Sequence, residues 1–436
     1  MQRVFRNWRV ALLVVLALVV TREGRAQGKD DQSAEWPAVR DRTFAMVWET
    51  VNKAYFDPTF GGVDWAGVKE KYQGRLEAIA DKPALRVLLG QMLRELRKSH
   101  FSILPREMAV FTPAERVRIG TAGIDLASVD GAVTVLTVPA GTSDLEPGDV
   151  VLAANGLELA PLQAYLAGTE LSPARAGFYL THLVDSRLRG AVGSVVELRV
   201  RKRDGSERVV AVKVLAHEGD WSEPMGDFPS QPVECLTRTD PNGIVYLRFN
   251  VFTRQVMKTV RTALENVPKN GGLVIDLRGN PGGISIMASG ISGWLSDHQF
   301  LLATMHMREG HFGMTVSPQA RAFLGPVAIL IDGGSGSTSE IMAAGLQEAG
   351  RARIFGETSA GAALPSNFQA LPTGDLFQYA IADLQTPRGR LIEGNGVTPD
   401  EPVQRTRADL LAGRDPVLEA ARVWLEHSRD RKETTP

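Results

Sequence analysis

A single cysteine, Cys235, serves all 436 residues. No intrachain disulfide is possible, so the fold must rest on its hydrophobic cores, which a chain of this length can build. Cys235 itself reads as a small structural hydrophobe rather than a nucleophile. Charge of one sign is missing too: 49 Lys and Arg stand against 50 Asp and Glu, a net charge of −1. No basic cluster appears beyond the extreme amino end, which argues against nucleic acid or an anionic membrane as partner. The apolar run VALLVVLALVV is shorter than the ~20 residues of a membrane span. It follows Arg3, Arg6 and Arg9 and precedes Gly24 and Ala26 at small-residue positions. This is the pattern of a secretory signal over 1–26, cleaved after Ala26. The protein is therefore expected to be exported, periplasmic or secreted, and to touch a membrane only if the signal stays uncleaved.

What is present suits a globular chain of two or three domains, 44% hydrophobic and 23% charged. Over 35–112 apolar residues recur at spacings of three and four, as in Phe44, Val47, Trp48 and Val51 or Leu85, Leu88, Leu89 and Met92, which predicts a helical domain. Over 117–216 short strands with glycine turns take over, ending in VVELRVRKRDGSERVVAVKVL, a hairpin on an Asp-Gly turn. From 240 to 405 strands alternate with helical segments, an α/β domain. A closing helix over 414–428 is expected to pack Val417, Leu418, Ala421, Val423, Trp424 and Leu425 on it. The stretch GDLFQYAIADLQTPRGRLI reads as a late hairpin.

The segment VAILIDGGSGSTSEIMAAGLQ reads as a buried strand, a small polar loop and a helix beginning near Ser339. A hydroxyl on such a turn faces a cleft beside the free N–H groups of a helix amino end, so Ser337 is the candidate nucleophile; a plain helix cap is the simpler alternative. The turn RGNPGG lacks the lysine and spacing of nucleotide-binding loops. Its glycine amides suit a developing oxyanion, with Gly283 and the amide of Thr338 as the favoured pair and Gly282 close behind. His306 and His311 lack an acidic or cysteine partner and an element that aims them together, so no metal and no cofactor is expected.

Two resemblances add to this. SDLEPGDVVLAANGLEL resembles the signature of PDZ domains. It implies that the loop Gly120, Thr121, Ala122, Gly123 and Ile124 offers backbone N–H groups to a peptide's terminal carboxylate, the peptide adding as a strand. The segments IDLRGNPGG, IDGGSGSTSEIMAAGLQEAGRARIFGET and LPTGDLFQYAIADLQTPRGRLIEGNGVTPDEPV resemble the C-terminal processing, or tail-specific, peptidase family. That resemblance implies an α/β multidomain protein: a ββα-spiral core of the ClpP/crotonase type, a PDZ-like β domain and an N-terminal helical domain. It also implies a serine endopeptidase acting through an acyl-enzyme, with Ser337 as nucleophile. The lysine of many members is absent, Ala362 standing in its place. Ser99-His100 and Glu393 instead match the branch resembling the tricorn protease core, where histidine is the base. A neutral imidazole can take a serine proton near pH 7, and a carboxylate can orient it through the Ser99 hydroxyl. The partner is then a peptide or protein substrate, taken by its C-terminus. Two rival readings keep the fold: a non-catalytic binder of apolar ligands or peptides, and an esterase or amidase for small substrates.

Overall fold

The computed structural model describes residues 35–139 and 144–433. The signal-like segment 1–26 lies outside them.

The first unit holds helices α1 (Trp36–Ala54), α2 (Trp65–Gln73) and α3 (Lys82–Arg94). Asp64 and Asp81 cap the second and third by accepting from the Gly67 and Ala84 amides. The predicted periodicity becomes a core of Phe44, Val47, Val51, Leu85, Leu88 and Met92, but Leu371 and Phe377 from far along the chain complete it. This unit is thus not self-contained. A short strand β1 (Ser102–Leu104) leaves it and pairs antiparallel with a late strand of the chain, Ser102 opposite Gln378.

In the second unit an antiparallel sheet runs in sequence order through β2 (Asp125–Val129), β3 (Ala132–Thr137), β4 (Val150–Ala154), β5 (Val195–Arg201) and β6 (Glu207–Lys213). Between β4 and β5 come helices α4 (Leu159–Ala167) and α5 (Pro173–Arg187). The Asp-Gly hairpin pairs Val195 with Lys213 through Arg201 with Glu207. Helix α5 lies so close to the edge strand β2 that a Cβ on Gly177 would fall 2.6 Å from Ser128 Oγ.

The third unit is built on a six-stranded sheet ordered β7 (Cys235–Thr239), β8 (Ile244–Phe249), β9 (Gly272–Asp276), β12 (Val327–Ile331), β13 (Arg353–Gly356) and β17 (Glu401–Pro402). Only β7 runs antiparallel to its neighbour. Every residue of β9 and β12 is buried because helices cover both faces. Val327, Ile329 and Ile331 face the side of α6 (Met257–Glu265), α7 (Ile286–Ser292) and α8 (Thr338–Glu348). Ala328 and Leu330 face the closing helix α9 (Pro416–Glu433), which buries Val417, Ala421 and Leu425. Val423, expected on that face, is 52% exposed.

Two further expectations are corrected. The hairpin joins β14 (Ser366–Ala370) to β15 (Leu376–Ala380), while β16 (Ala382–Gln385) leaves for another sheet with β10 (Phe300–Met307) and β11 (His311–Val316). Strands β10 and β11 do aim His306 and His311 together, cross-strand partners with ring centroids 6.1 Å apart. Among the described residues no three His, Cys, Asp or Glu side chains are grouped to hold a metal ion.

Candidate active site

Strand β12 delivers the chain into a loop that hydrogen bonds hold from several sides. Asp332 accepts from the Gly279 and Gly334 amides, each at 2.9 Å, and Ser335 Oγ donates to the Leu277 carbonyl at 2.8 Å. The loop ends at Ser337 with φ 51° and ψ −114°, a left-handed conformation costly for a side chain with a Cβ. Its amide donates to the Ala362 carbonyl at 2.8 Å and to Glu340 Oε2 at 3.0 Å. Helix α8 starts at the next residue.

Facing this turn is the RGNPGG segment, whose Gly282 and Gly283 have φ 108° and 135°. A Cβ on Gly282 would fall 2.7 Å from the Ser337 Cβ and 2.8 Å from the Thr338 nitrogen, so only glycine fits. Thr338 Oγ1 donates to the Gly283 carbonyl at 2.9 Å, which brings the two segments together. The amides of Gly283 and Thr338 carry no hydrogen bond among the described residues. The Gly282 amide is turned away, donating to Asn280 Oδ1 at 2.9 Å, which removes Gly282 from the candidate anion-binding pair.

His100 arrives from the first unit. It follows the end of α3 with φ 59° and stands two residues before β1, so the pairing of β1 with β15 pins it against the third unit. Arg86, hydrogen-bonded to Asp375 at 3.1 and 2.7 Å, ties α3 to the same place. Ser99 Oγ lies 2.7 Å from His100 Nδ1 and donates to Glu393 Oε2 at 2.8 Å. A hydroxyl has one proton to give, and here it goes to the carboxylate. Nδ1 must then be the donor to Ser99, which leaves the lone pair on Nε2. Burial pushes the His100 pKa down to about 4, Glu393 opposing and Arg175 assisting, so the ring is neutral near pH 7.

Glu393 is 9% exposed and fully used. It accepts from the Ser99 amide at 2.9 Å, the Ala363 amide at 3.1 Å and Arg175 Nη2 at 2.7 Å, besides Ser99 Oγ. Burial works against its charge, but Arg175 and the Ser99 donors outweigh it and hold the pKa below the usual carboxylate range. Arg388 and Arg390, the nearby arginines in sequence, engage Glu348 instead.

The segment 359–363 joins the two halves. Glu340, wholly buried, accepts from the Ser337, Gly361 and Ala362 amides and from Ser359 Oγ. Burial raises its pKa to about 7, with those donors pulling the other way. One residue on, Ala363 reaches Glu393. Ser337 and the Glu393 end of the array therefore border one short segment, yet among the described residues no hydrogen bond joins the Ser337 hydroxyl to the imidazole.

Arg175 and the structural roles of Glu340 and Ser359 were not singled out from the sequence. Glu340 lies in the first turn of α8, but three of its four donors come from the separate segment 359–362. For Arg175 the sequence held no signal, since its partner lies 218 positions away. Helix α5 also sets Phe178 against the loop, 3.3 Å from where a Cβ on Gly336 would stand.

The carboxylate loop expected at 120–124 is mostly closed. The Thr121 amide donates to the Leu215 carbonyl at 3.0 Å and the Ala122 amide to Leu188 at 2.8 Å, while Gly120 sits in a pairing with Gly190. Gly123 bonds the Thr121 hydroxyl at 3.2 Å, and only the Ile124 amide is without an acceptor among the described residues. A cavity of about 1760 Å³ opens between the three units, with Gly123, Ile124, Pro281 and Gly334 on its wall.

Residues 243–403 match the model of peptidase family S41, and residues 33–94 match the tricorn protease C1 domain. Residues 243–403 therefore form a domain of the peptidase family S41 type. It is 27% identical over 403 residues to the carboxyl-terminal-processing protease of Picosynechococcus, spanning 90% of this chain and 88% of that one. To the chloroplastic carboxyl-terminal-processing peptidase 2 of Arabidopsis thaliana it is 23% identical, over 92% of this chain and 76% of that one. The solved photosystem II D1 C-terminal processing protease superposes with a TM-score of 0.58 at 21% identity, covering 84% of this chain and 93% of its own, which supports the shared α/β fold. The S41 domain and the carboxyl-terminal-processing relatives together make the chain a serine peptidase.

Proposed function

We propose that the chain is an exported peptidase that hydrolyses peptide bonds through an acyl-enzyme on Ser337, with His100 as general base. The observation that carries this is the hydrogen-bonded array Glu393–Ser99–His100, which leaves Nε2 free and meets through Glu393 the same segment 359–363 that holds Ser337, a serine on a strained turn flanked by two unused amides. Nε2 takes the Ser337 proton as the hydroxyl attacks a substrate carbonyl. The oxyanion that forms is received by the Gly283 and Thr338 amides at the amino end of α8. The imidazolium returns its proton to the leaving amine, stabilised meanwhile by Glu393 through Ser99. A water then repeats the sequence on the acyl-enzyme. The missing hydrogen bond between Ser337 and His100 belongs to a resting arrangement that tightens when substrate fills the cleft.

The second unit has the sheet-and-helix composition of a PDZ domain, with β2 as an open edge under α5, and we assign it to binding substrate C-termini. Export rests on the amino-terminal signal pattern alone. The test is a fluorophosphonate probe with cleavage of an unfolded, tailed peptide. Labelling at Ser337, with loss of cleavage in both Ser337→Ala and His100→Ala, is expected; an unlabelled Ser337 would return the chain to the rank of a binding protein. Full activity in His100→Ala would remove the base while leaving the nucleophile.

A further inference from the structure

The closed loop at 120–124 raises a question of chemistry. A peptide lying along β2 would bring its terminal carboxylate to this loop, where the Thr121 and Ala122 amides already serve Leu215 and Leu188. One amide, that of Ile124, remains. A carboxylate leaving water needs more than one neutral donor.

The register of the chain supplies a charged one. Residues Ile119–Thr121 pair antiparallel with Arg189–Ala191, Thr121 opposite Arg189, and the Ala122 amide bonds the Leu188 carbonyl. The last residue of α5, Arg187, therefore stands beside the loop, and it lines the same cavity as Gly123 and Ile124. Its neighbour Arg189 is paired with Asp185 at 3.2 Å. Arg187 has no such partner: among the described residues no carboxylate lies within ion-pair distance and no acceptor takes a hydrogen bond from its guanidinium. It is half-buried, and burial lowers its pKa with no acidic neighbour to oppose the effect. A partly desolvated guanidinium without an anion is a cost that binding a carboxylate would relieve. The wall of the same cavity includes Ile124, Leu126 and Leu183, apolar surface for the side chain of a terminal residue.

We propose that Arg187, with the Ile124 amide, anchors the α-carboxylate of peptides ending in an apolar residue and so selects substrates by their free C-terminus. The proposal rests on the reading of the second unit as the substrate-binding one. The planar fork of donors on Arg187 suits a carboxylate better than the five amides expected from the loop could, since most of those are committed.

The experiment uses the full chain as Ser337→Ala, so that peptides bind without being cut, and reads fluorescence anisotropy of a labelled unstructured peptide ending in leucine. The free acid should bind, and amidation of its C-terminus should weaken binding by about tenfold or more. Arg187→Ala and Arg187→Gln should weaken the free acid by the same factor and leave the amide unchanged, Arg187→Lys should recover part of the loss, and Arg189→Ala should have no effect. Thermal unfolding of each variant separates lost binding from lost fold. Equal binding of acid and amide, undiminished binding by Arg187→Gln, or absence of binding would each overturn the proposal. So would an amidated peptide ending in aspartate that matches the free acid, since any carboxylate would then serve. Fluorophosphonate labelling of the unmutated chain reports on Ser337 independently, so failure here is distinguishable from failure of the catalytic assignment.

Discussion

The proposed nucleophile turn and the proposed base array are built in opposite ways. Ser337, its strand, its loop and its helix come from one stretch of chain, and the turn is held mostly by its own residues and the adjoining RGNPGG segment. The base array takes Ser99 and His100 from the first unit, Arg175 from the second and Glu393 from the third. A local turn survives as long as its domain folds. An array drawn from three units exists only while those units are docked.

The sharpest test of that contrast is the nucleophile itself. Ser337→Ala should abolish peptide cleavage, a loss on the order of 10⁴-fold or more, without lowering Tm, because the strained turn tolerates a smaller side chain. His100→Ala should cost about as much, and the double variant no more than either alone, as groups acting together are non-additive. Additive losses in single-turnover assays would mean that the two residues do not serve one step.

Arg175→Met comes next. It leaves Glu393 buried without its counter-charge, so activity should fall by roughly tenfold to a hundredfold and stability by about 3–5 kcal/mol. Arg175→Met with Glu393→Gln should regain much of the stability but not the activity. If Arg175→Met leaves Tm and kcat untouched, the second unit is not coupled to the site.

The pH profile separates the halves again. Because the folded His100 pKa is pushed down to about 4, kcat/KM should hold through pH 5 and fall only as pH drops through about 4. Removing Arg175 withdraws a charge that depresses this pKa, so the acid limb should move upward. For stability the sign is fixed by linkage: between the folded value and an ordinary histidine near 6.5 the unfolded chain binds the extra proton, so this group's contribution erodes as pH falls through that window and is intact above it. An acid limb near 6.5 would mean that the imidazole is solvated rather than buried.

The smallest effect on catalysis is expected far from both. Leu425 is fully buried in α9 against the outer face of the sheet, and Leu425→Ala should cost about 2–5 kcal/mol of stability while kcat stays within about twofold at temperatures where the chain is folded. A large loss of kcat there would show that the local turn depends on the sheet's outer packing after all.

Much of the site is legible in the order of residues, and the boundary is instructive. The strand, turn and helix around Ser337 can be read from periodicity, because each depends on neighbours a few positions away. Ser99, His100 and Glu393 are nameable through motif resemblance, while the bonds from Ser99 to Glu393 span 294 positions and have no local trace. The strand switch after β15 went unread because apolar alternation looks the same whether a chain stays in one sheet or passes to the next. Likewise the amides of 120–124 read as open from sequence because a glycine-rich loop does not reveal that Leu188 and Leu215 take its donors.

Residue order alone determined the helical start, the β-rich middle, the α/β core and the presence of a serine at a strand-to-helix turn, since these follow from side-chain spacing and backbone preference over short distances. Only the tertiary structure decided which acid meets which base, that Arg175 is the counter-charge of Glu393, and that among the described residues Arg187 is left without one. Pairing between distant charges is settled by which surfaces dock and which groups lose their water, and neither is a property of neighbouring residues.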